Sequence, residues 1–291
     1  MDLFFTFNVS PEVLKKCEEI TGLKASVDRE SGGELQIVSS KYKVTERTKL
    51  IQGVYGSLDG LALKAIPPGV TVCMNSGAFA QSAAEHVFAM LLTTTKKIIE
   101  LNNKTHHKLF KKEAVGTLRG KKIGIIGYGG VGRAVADIAK AFGMTVIAYT
   151  RSQRDDPRVD QFVVSIARLI SLSDIIVITL PLTNKTRGII NADALNMFNG
   201  NFIVNIARGE IVNKNDMLFY LKRNPEKYYL SDVWWDEPTI RDEVPPNVIL
   251  TPHVADSVPA DFDNAVIMAC ENVKKYLDGR PENVVDPAEY Y

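Results

Sequence analysis

The run Gly127-Tyr128-Gly129-Gly130-Val131-Gly132 has the G-x-G-x-x-G spacing of a turn that cradles phosphates. It follows the apolar stretch Lys122-Ile123-Gly124-Ile125-Ile126 and opens a helical stretch, Val131 to Phe142, closed by Gly143. Each glycine answers a physical demand. Gly127 permits the tight turn, and Gly129 lets the backbone approach a pyrophosphate with no Cβ in the way. Gly132 lets helix and strand pack closely, while the N–H groups of the first helical turn, from Gly130 and Val131 onward, face the anion. A glycine-rich strand–helix turn without a ligand would share these residues, but the flanking elements favour a dinucleotide site.

The next strand, Thr145-Val146-Ile147-Ala148-Tyr149, bears on which dinucleotide. An NAD site places Asp or Glu about 20 residues beyond the glycines, where it accepts from the ribose hydroxyls. Here Thr150 holds that place, followed by Arg151 and Ser152. A carboxylate would repel a 2′-phosphate, whereas Arg151 can bind one through paired donors and Ser152 can add a hydroxyl. NADP(H) is therefore expected ahead of NAD(H), which stays possible because Arg151 also reads as a solvated loop residue.

The elements that must position these groups alternate regularly. Beyond residue 120, strands are expected at 122–126, 145–149, 174–178, 201–205, 228–230 and 248–250, the pattern of a doubly wound parallel α/β sheet with ligands at its carboxyl ends. Before it, strands at 3–7, 35–39, 49–54 and 70–74 and a helix near 11–21 suggest a second parallel sheet. The apolar spacing predicts one long helix from Gln81 to about Lys108. Its basic end, from Lys104 to Lys112, reads as solvated. A last helix, about 259–278, is not placed by periodicity alone.

Composition narrows the class. The 291 residues suggest about two domains, and 45% apolar with 24% charged residues is ordinary for a globular chain. A net charge of +1 gives no footprint for nucleic acid or a membrane surface. Cys17, Cys73 and Cys270 are widely spaced, so neither a metal site nor a disulfide framework is implied, and a reduced, cytoplasmic setting fits. The opening Phe4-Phe5-Thr6-Phe7 is too short for a signal peptide, and no stretch reaches transmembrane length.

Taken in order, the motifs resemble those of the D-isomer-specific 2-hydroxyacid dehydrogenases along nearly the whole chain. Asn75-Ser76-Gly77 with Ala84-Glu85-His86 is similar to the family's entry into its interdomain helix. Leu180-Pro181-Leu182-Thr183 with Thr186 is similar to its loop along the cofactor, and Asn205-Ile206-Ala207-Arg208-Gly209 to its catalytic-arginine signature. Asp232-Val233, Glu237-Pro238 and Thr251-Pro252-His253 are similar to the remaining active-site segments. The resemblance implies two Rossmann-like doubly wound domains with a deep interdomain cleft: a discontinuous substrate domain, 1–93 plus 262–291, and a dinucleotide-binding domain, 94–261. It also implies a homodimer.

The resemblance assigns roles that the chemistry supports. Arg208, just beyond a strand, suits a substrate carboxylate and can polarise the adjacent carbonyl. His253, at the end of the strand 248–250, would exchange the proton. His86, His106 and His107 lie on or near a helix, where packing or solvation accounts for them. Glu237 would orient His253, although the residues alone do not choose it over Asp236. Asp232 would accept from the nicotinamide carboxamide, or else cap the following turn, and Ile206, Leu180, Pro181 and Thr186 would line the cofactor. Tyr55 and Gly56 resemble the loop that holds the substrate carboxylate through backbone N–H groups. Ser57, where the family usually has glycine, and Asp256, where a small residue is commoner, depart from the pattern and bear on substrate choice.

The expected activity is NADPH-dependent reduction of a small 2-oxo acid, with glyoxylate or hydroxypyruvate as substrates. Glutamate at 237, where the family's formate dehydrogenases carry glutamine, argues against formate, and a phosphite-oxidising relative stays open. The contrasting reading is a cofactor-sensing protein like the family's corepressors, which need not keep Arg208, Glu237 and His253 together.

Overall fold

The computed structural model describes residues 1–28, 32–57, 63–150 and 155–290. The chain divides into two compact units, Met1–Phe79 with Val258–Tyr291, and Ala80–Ser257. Both are parallel sheets flanked by helices, the two Rossmann-like α/β units expected.

The first unit begins with β1 (Leu3–Phe5), α1 (Pro11–Thr21), β2 (Ala25–Val27), β3 (Leu35–Val38), β4 (Leu50–Gly53) and β5 (Thr71–Cys73), with strand order β2-β1-β3-β4-β5. The helix α1 is bounded by local chemistry. Ser10 accepts from the Val13 amide, Pro11 sets the first turn, and Gly22 closes the helix at φ 70°. Strands β3 and β4 are buried along their whole length, as strands covered on both faces must be.

The second unit opens with α2 (Ala80–Thr95) and α3 (Ile98–His106), then β6 (Lys122–Ile126), α4 (Gly130–Ala141), β7 (Thr145–Tyr149), β8 (Gln161–Val163), α5 (Ile166–Leu172), β9 (Ile175–Ile178), α6 (Ala192–Asn196), β10 (Phe202–Asn205), α7 (Lys214–Arg223), β11 (Tyr228–Ser231) and β12 (Val248–Leu250). The order β12-β11-β10-β9-β6-β7-β8 reverses direction at β6, which pairs with both β7 and β9. Beyond the carboxyl ends of β6 and β9 the loops diverge, which is where such sheets bind ligands.

Where the periodicity suggests one helix to about residue 108, the structure has two. The Thr95 carbonyl accepts from the Gly116 amide at 2.9 Å, and Lys97 turns left-handed at φ 53°. Thus the returning chain takes the hydrogen-bonding group that a continuing helix would need. Ile98 and Ile99 keep the apolar spacing yet are each 54% exposed. The helix α2 joins the second unit, with Ala84, Val87, Phe88 and Leu91 packing in one cluster with Val135, Ala136 and Ala139 of α4. The unit boundaries at 79/80 and 257/258 therefore lie ahead of the 93/94 and 261/262 suggested by the motifs.

The chain returns to the first unit with α8 (Pro259–Leu277). Its Ala265, Val266, Ala269, Cys270 and Val273 are buried in one core with Leu3, Phe5, Leu35, Ile37 and Leu50. Asn75 Nδ2 donates to the Ala265 carbonyl at 2.7 Å, and Asn272 Nδ2 to Gln52 Oε1 at 2.7 Å. The structure corrects the expectation for the cysteines. Cys17 on α1 and Cys270 on α8 form a disulfide, with Cα atoms 5.6 Å apart and a sequence separation of 253. Sequence spacing cannot register this pair, because it arises only when the last helix packs on the first. Cys73 is buried without a disulfide, and burial pushes its thiol up to about 11.

Candidate active site

The phosphate turn joins β6 to α4. Gly127 sits at φ 116°, and a Cβ there would stand 2.8 Å from the Leu180 amide nitrogen. Thr179 Oγ1 donates to the Gly127 carbonyl at 2.6 Å, tying this turn to the loop beyond β9. A Cβ on Gly132 would strike the Gly127 carbonyl oxygen. Gly129 caps the helix with no side chain to occupy its first amides. This bare helix N-terminus, with Gly130 and Val131 in its first turn, fits a pyrophosphate. Thr150 at the end of β7 is buried, its amide bonded to the Val163 carbonyl at 3.1 Å. Arg151 and Ser152 lie outside the described residues.

The loop after β9 folds on itself. Thr186 Oγ1 donates to the Pro181 carbonyl at 2.7 Å and accepts from the Thr183 amide at 2.8 Å, while Leu180 packs on the core. After β10, buried Asn205 shapes the turn that presents Arg208. Its Nδ2 donates to the Arg208 carbonyl at 2.9 Å and to Tyr229 Oη at 3.0 Å, and its Oδ1 accepts from the Ala207 amide at 3.0 Å. Gly209 is obligatory in a different sense, since a Cβ would lie 2.6 Å from the Trp234 carbonyl. Ile206 packs against the sheet.

The loops after β11 and β12 carry the candidate acid–base pair. His253 Nδ1 lies 2.8 Å from Glu237 Oε2, and Glu237 Oε1 accepts from the Trp234 amide at 2.6 Å. Nδ1 is therefore the donor to the carboxylate, which leaves Nε2 for other work. Asp236, which the residues alone leave level with Glu237, is turned instead toward Lys214 Nζ at 2.6 Å. The hydrogen bond that His253 donates to Glu237 raises the His253 pKa above its usual value, against burial and the nearby Arg208 charge. For Glu237, burial opposes ionisation, yet the His253 and Trp234 hydrogen bonds and the charges of His253 and Arg208 leave its pKa below the usual range.

Asp232, only 1% exposed, gathers the His253 loop. Its Oδ1 accepts from Thr251 Oγ1 at 2.5 Å and from the Val254 amide at 3.0 Å. Its Oδ2 accepts from the Ala255 amide at 2.8 Å, and its carbonyl accepts from the His253 amide at 2.8 Å. Its carboxylate thus holds the 251–255 loop rather than the turn that follows Asp232. Two further residues take roles here that the motifs contain but do not assign. Asn205 reads in sequence as a strand end. His86, which sequence treats as packed or solvated, has Nε2 2.9 Å from Thr251 Oγ1. The signal for Asn205 is a polar residue closing an apolar strand. Nothing in sequence signals His86, because Thr251 is 165 residues away. His106 and His107 instead bond to carbonyls one turn back on α3.

The second unit thus brings together the glycine turn, Arg208, Asp232, Glu237 and His253. Tyr55 and Gly56 belong to the first unit, where Tyr55 stacks on Phe79 with ring centroids 5.5 Å apart.

Comparison with known proteins follows the same lines. A family model described as D-isomer specific 2-hydroxyacid dehydrogenase, NAD binding domain, matches residues 88–255. A glyoxylate reductase from Thermococcus litoralis is 27% identical over 289 residues, covering 94% of this chain and 86% of its own length. A glycerate dehydrogenase from Methylorubrum extorquens is 28% identical over 243 residues, 79% of this chain and 75% of its own. Among solved structures, a glycerate dehydrogenase related protein from Thermoplasma acidophilum is 40% identical with a TM-score of 0.72, covering 95% of this chain and all of the other.

Proposed function

This chain belongs to the D-isomer-specific 2-hydroxyacid dehydrogenase family, and we propose that it reduces glyoxylate or hydroxypyruvate to the D-2-hydroxy acid with NADP(H). It is a nicotinamide-dependent oxidoreductase acting on small 2-oxo and 2-hydroxy acids. The observation that carries the proposal is the Glu237–His253 pair, 2.8 Å apart, with the Arg208 charge acting on both.

Gly127, Gly129, Gly130, Val131 and Gly132 would hold the pyrophosphate. Leu180, Pro181, Thr186, Ile206 and Asp232 would flank the nicotinamide. The absence of a carboxylate at Thr150, with Arg151 and Ser152 after it, supports the 2′-phosphate. A bound nicotinamide supplies the hydride for the carbonyl carbon. Arg208 pairs with the substrate carboxylate and polarises its carbonyl. His253, held as imidazolium by Glu237, gives its Nε2 proton to the carbonyl oxygen and takes one back in oxidation. For Tyr55 and Gly56, in the first unit, the role that the family resemblance implies is proposed, that of backbone N–H donors to the substrate carboxylate. Asp256, half-buried beyond the His253 loop, is the residue to vary when substrates are compared.

The chain is proposed to act as a homodimer, supported by exposed Ile98, Ile99, Leu109 and Phe110, the last 93% exposed. A cytoplasmic location is proposed because three cysteines with a single disulfide fall short of the disulfide-dense scaffold of small secreted domains. Among the described residues no helix is long and apolar enough to cross a membrane.

The test follows loss of reduced-cofactor absorbance with NADPH and NADH, offering glyoxylate, hydroxypyruvate and pyruvate, for the native chain and His253→Ala. Turnover above that with NADH and a loss of about 10²–10⁴-fold in His253→Ala support the proposal. Preference for NADH keeps the dehydrogenase and removes the cofactor assignment. Tight cofactor binding without turnover of any acid favours the sensor reading.

A further inference from the structure

His86 on α2 has no role in the chemistry above, yet its ring points into the loop that holds His253. Its Nε2 lies 2.9 Å from Thr251 Oγ1 and 3.5 Å from Asp232 Oδ1. The direction of this chain of bonds follows from proton counting. Each oxygen of the Asp232 carboxylate already accepts a backbone amide, from Val254 and from Ala255. The carboxylate is therefore the acceptor of the Thr251 hydroxyl as well. A threonine hydroxyl has one proton and two lone pairs. With that proton given to Asp232, Thr251 Oγ1 must accept from His86, so His86 carries a proton on Nε2.

What this chain holds is a conformation that does not persist unaided. His253 sits at φ 55°, in the left-handed region, which is strained for a residue with a Cβ. Such a conformation survives where its surroundings over-determine it. Asp232 supplies that constraint through four hydrogen bonds to residues 251–255, three on its carboxylate and one on its carbonyl. His86 in turn constrains Thr251 from a helix remote in sequence.

We propose that His86 is a positioning residue of the reaction: through Thr251 it fixes the Asp232 hub that holds the His253 loop in its left-handed, proton-donating geometry. The inference rests on the reading of His253 as proton donor. Packing alone does not account for His86, because a packed ring has no need to present its Nε2 proton to this hydroxyl. Gln in its place can present an amide donor at a similar reach, whereas Ala cannot.

The experiment measures kcat, substrate KM, NADPH affinity by tryptophan fluorescence and thermal unfolding. The variants are His86→Ala, His86→Gln, Thr251→Val and the double variant His86→Ala/Thr251→Val. His86→Ala is expected to lower kcat roughly tenfold, the factor carried by one lost hydrogen bond of about 1.4 kcal/mol, with NADPH affinity within about twofold of native. His86→Gln should recover most of that loss. If the two residues act as one chain, the double variant should fall no further than Thr251→Val alone. Native kcat in His86→Ala overturns the proposal. So do fully additive losses in the double variant, and so does a His86→Gln as impaired and as unstable as His86→Ala. His253→Ala serves as the separate control. If it keeps native turnover, the proton-donor reading falls, whatever His86 does.

Discussion

At the scale of residues, the proposed reaction depends on how Glu237 and His253 divide a proton. The raised His253 pKa keeps the imidazolium populated above the usual 6.5, so reduction should hold into neutral pH and decline as pH climbs past the raised value. Glu237→Gln removes the charge that raises it. We expect the basic limb of the kcat/KM profile to move to lower pH in that variant, with kcat down about 10²-fold. A limb that stays in place would assign it to another group. The same pair bears on stability with a definite sign. The His253 share is complete below 6.5 and is lost as pH rises through its raised pKa. The Glu237 share is complete above 4.5 and is lost as pH falls through its lowered pKa. Both operate fully between those values, so unfolding temperatures of native and Glu237→Gln protein should differ most there. The difference should be small, because both side chains are about a third exposed.

At the scale of elements, the β6–α4 turn and the loop after β9 are one construction, since Gly127 accepts from Thr179 and lies beneath the Leu180 amide. A methyl group at Gly127 meets both a left-handed φ and backbone atoms that cannot yield. Gly127→Ala should therefore lose NADPH affinity by at least tenfold and cost about 1–3 kcal/mol of stability, read by equilibrium titration and denaturant unfolding. Unchanged affinity would place the pyrophosphate elsewhere. The break between α2 and α3 shows the limit of periodicity at this scale. Apolar spacing continues through Ile98 and Ile99, but the Thr95 carbonyl is claimed by Gly116 from outside the helix.

At the scale of the molecule, the first unit is assembled from both ends of the chain and stapled by Cys17–Cys270. Cross-links spanning long stretches limit the unfolded chain most, so reduction or Cys17→Ser should lower stability by about 2–4 kcal/mol. Turnover below the unfolding transition should be unchanged, because both cysteines belong to the first unit and the proposed reacting groups Arg208, Glu237 and His253 to the second. An unfolding temperature indifferent to reductant would show that the pair contributes nothing in solution. The proposed homodimer is tested at Phe110. Phe110→Glu should lower the mass measured by light scattering to that of one chain, and a native mass of one chain, about 32.2 kDa, would remove the dimer.

The sequence by itself determined the parallel α/β class and marked the glycine turn, Arg208 and His253 as candidates, while Glu237 entered only through the family resemblance. These depend on local demands: strand and helix periods, glycines where a Cβ cannot fit, and polar residues just past strand ends. The family's ordered motifs extended that to the expected roles. Only the tertiary structure decided what depends on distant residues meeting. It turned Glu237 rather than Asp236 to His253, and it gave the Asp232 carboxylate to the 251–255 loop. It also brought His86 to Thr251 and Cys17 to Cys270. The physical reason is common to all four. A hydrogen bond or a disulfide is set by separation and direction in space, and spacing along the chain fixes these only within a single turn or strand.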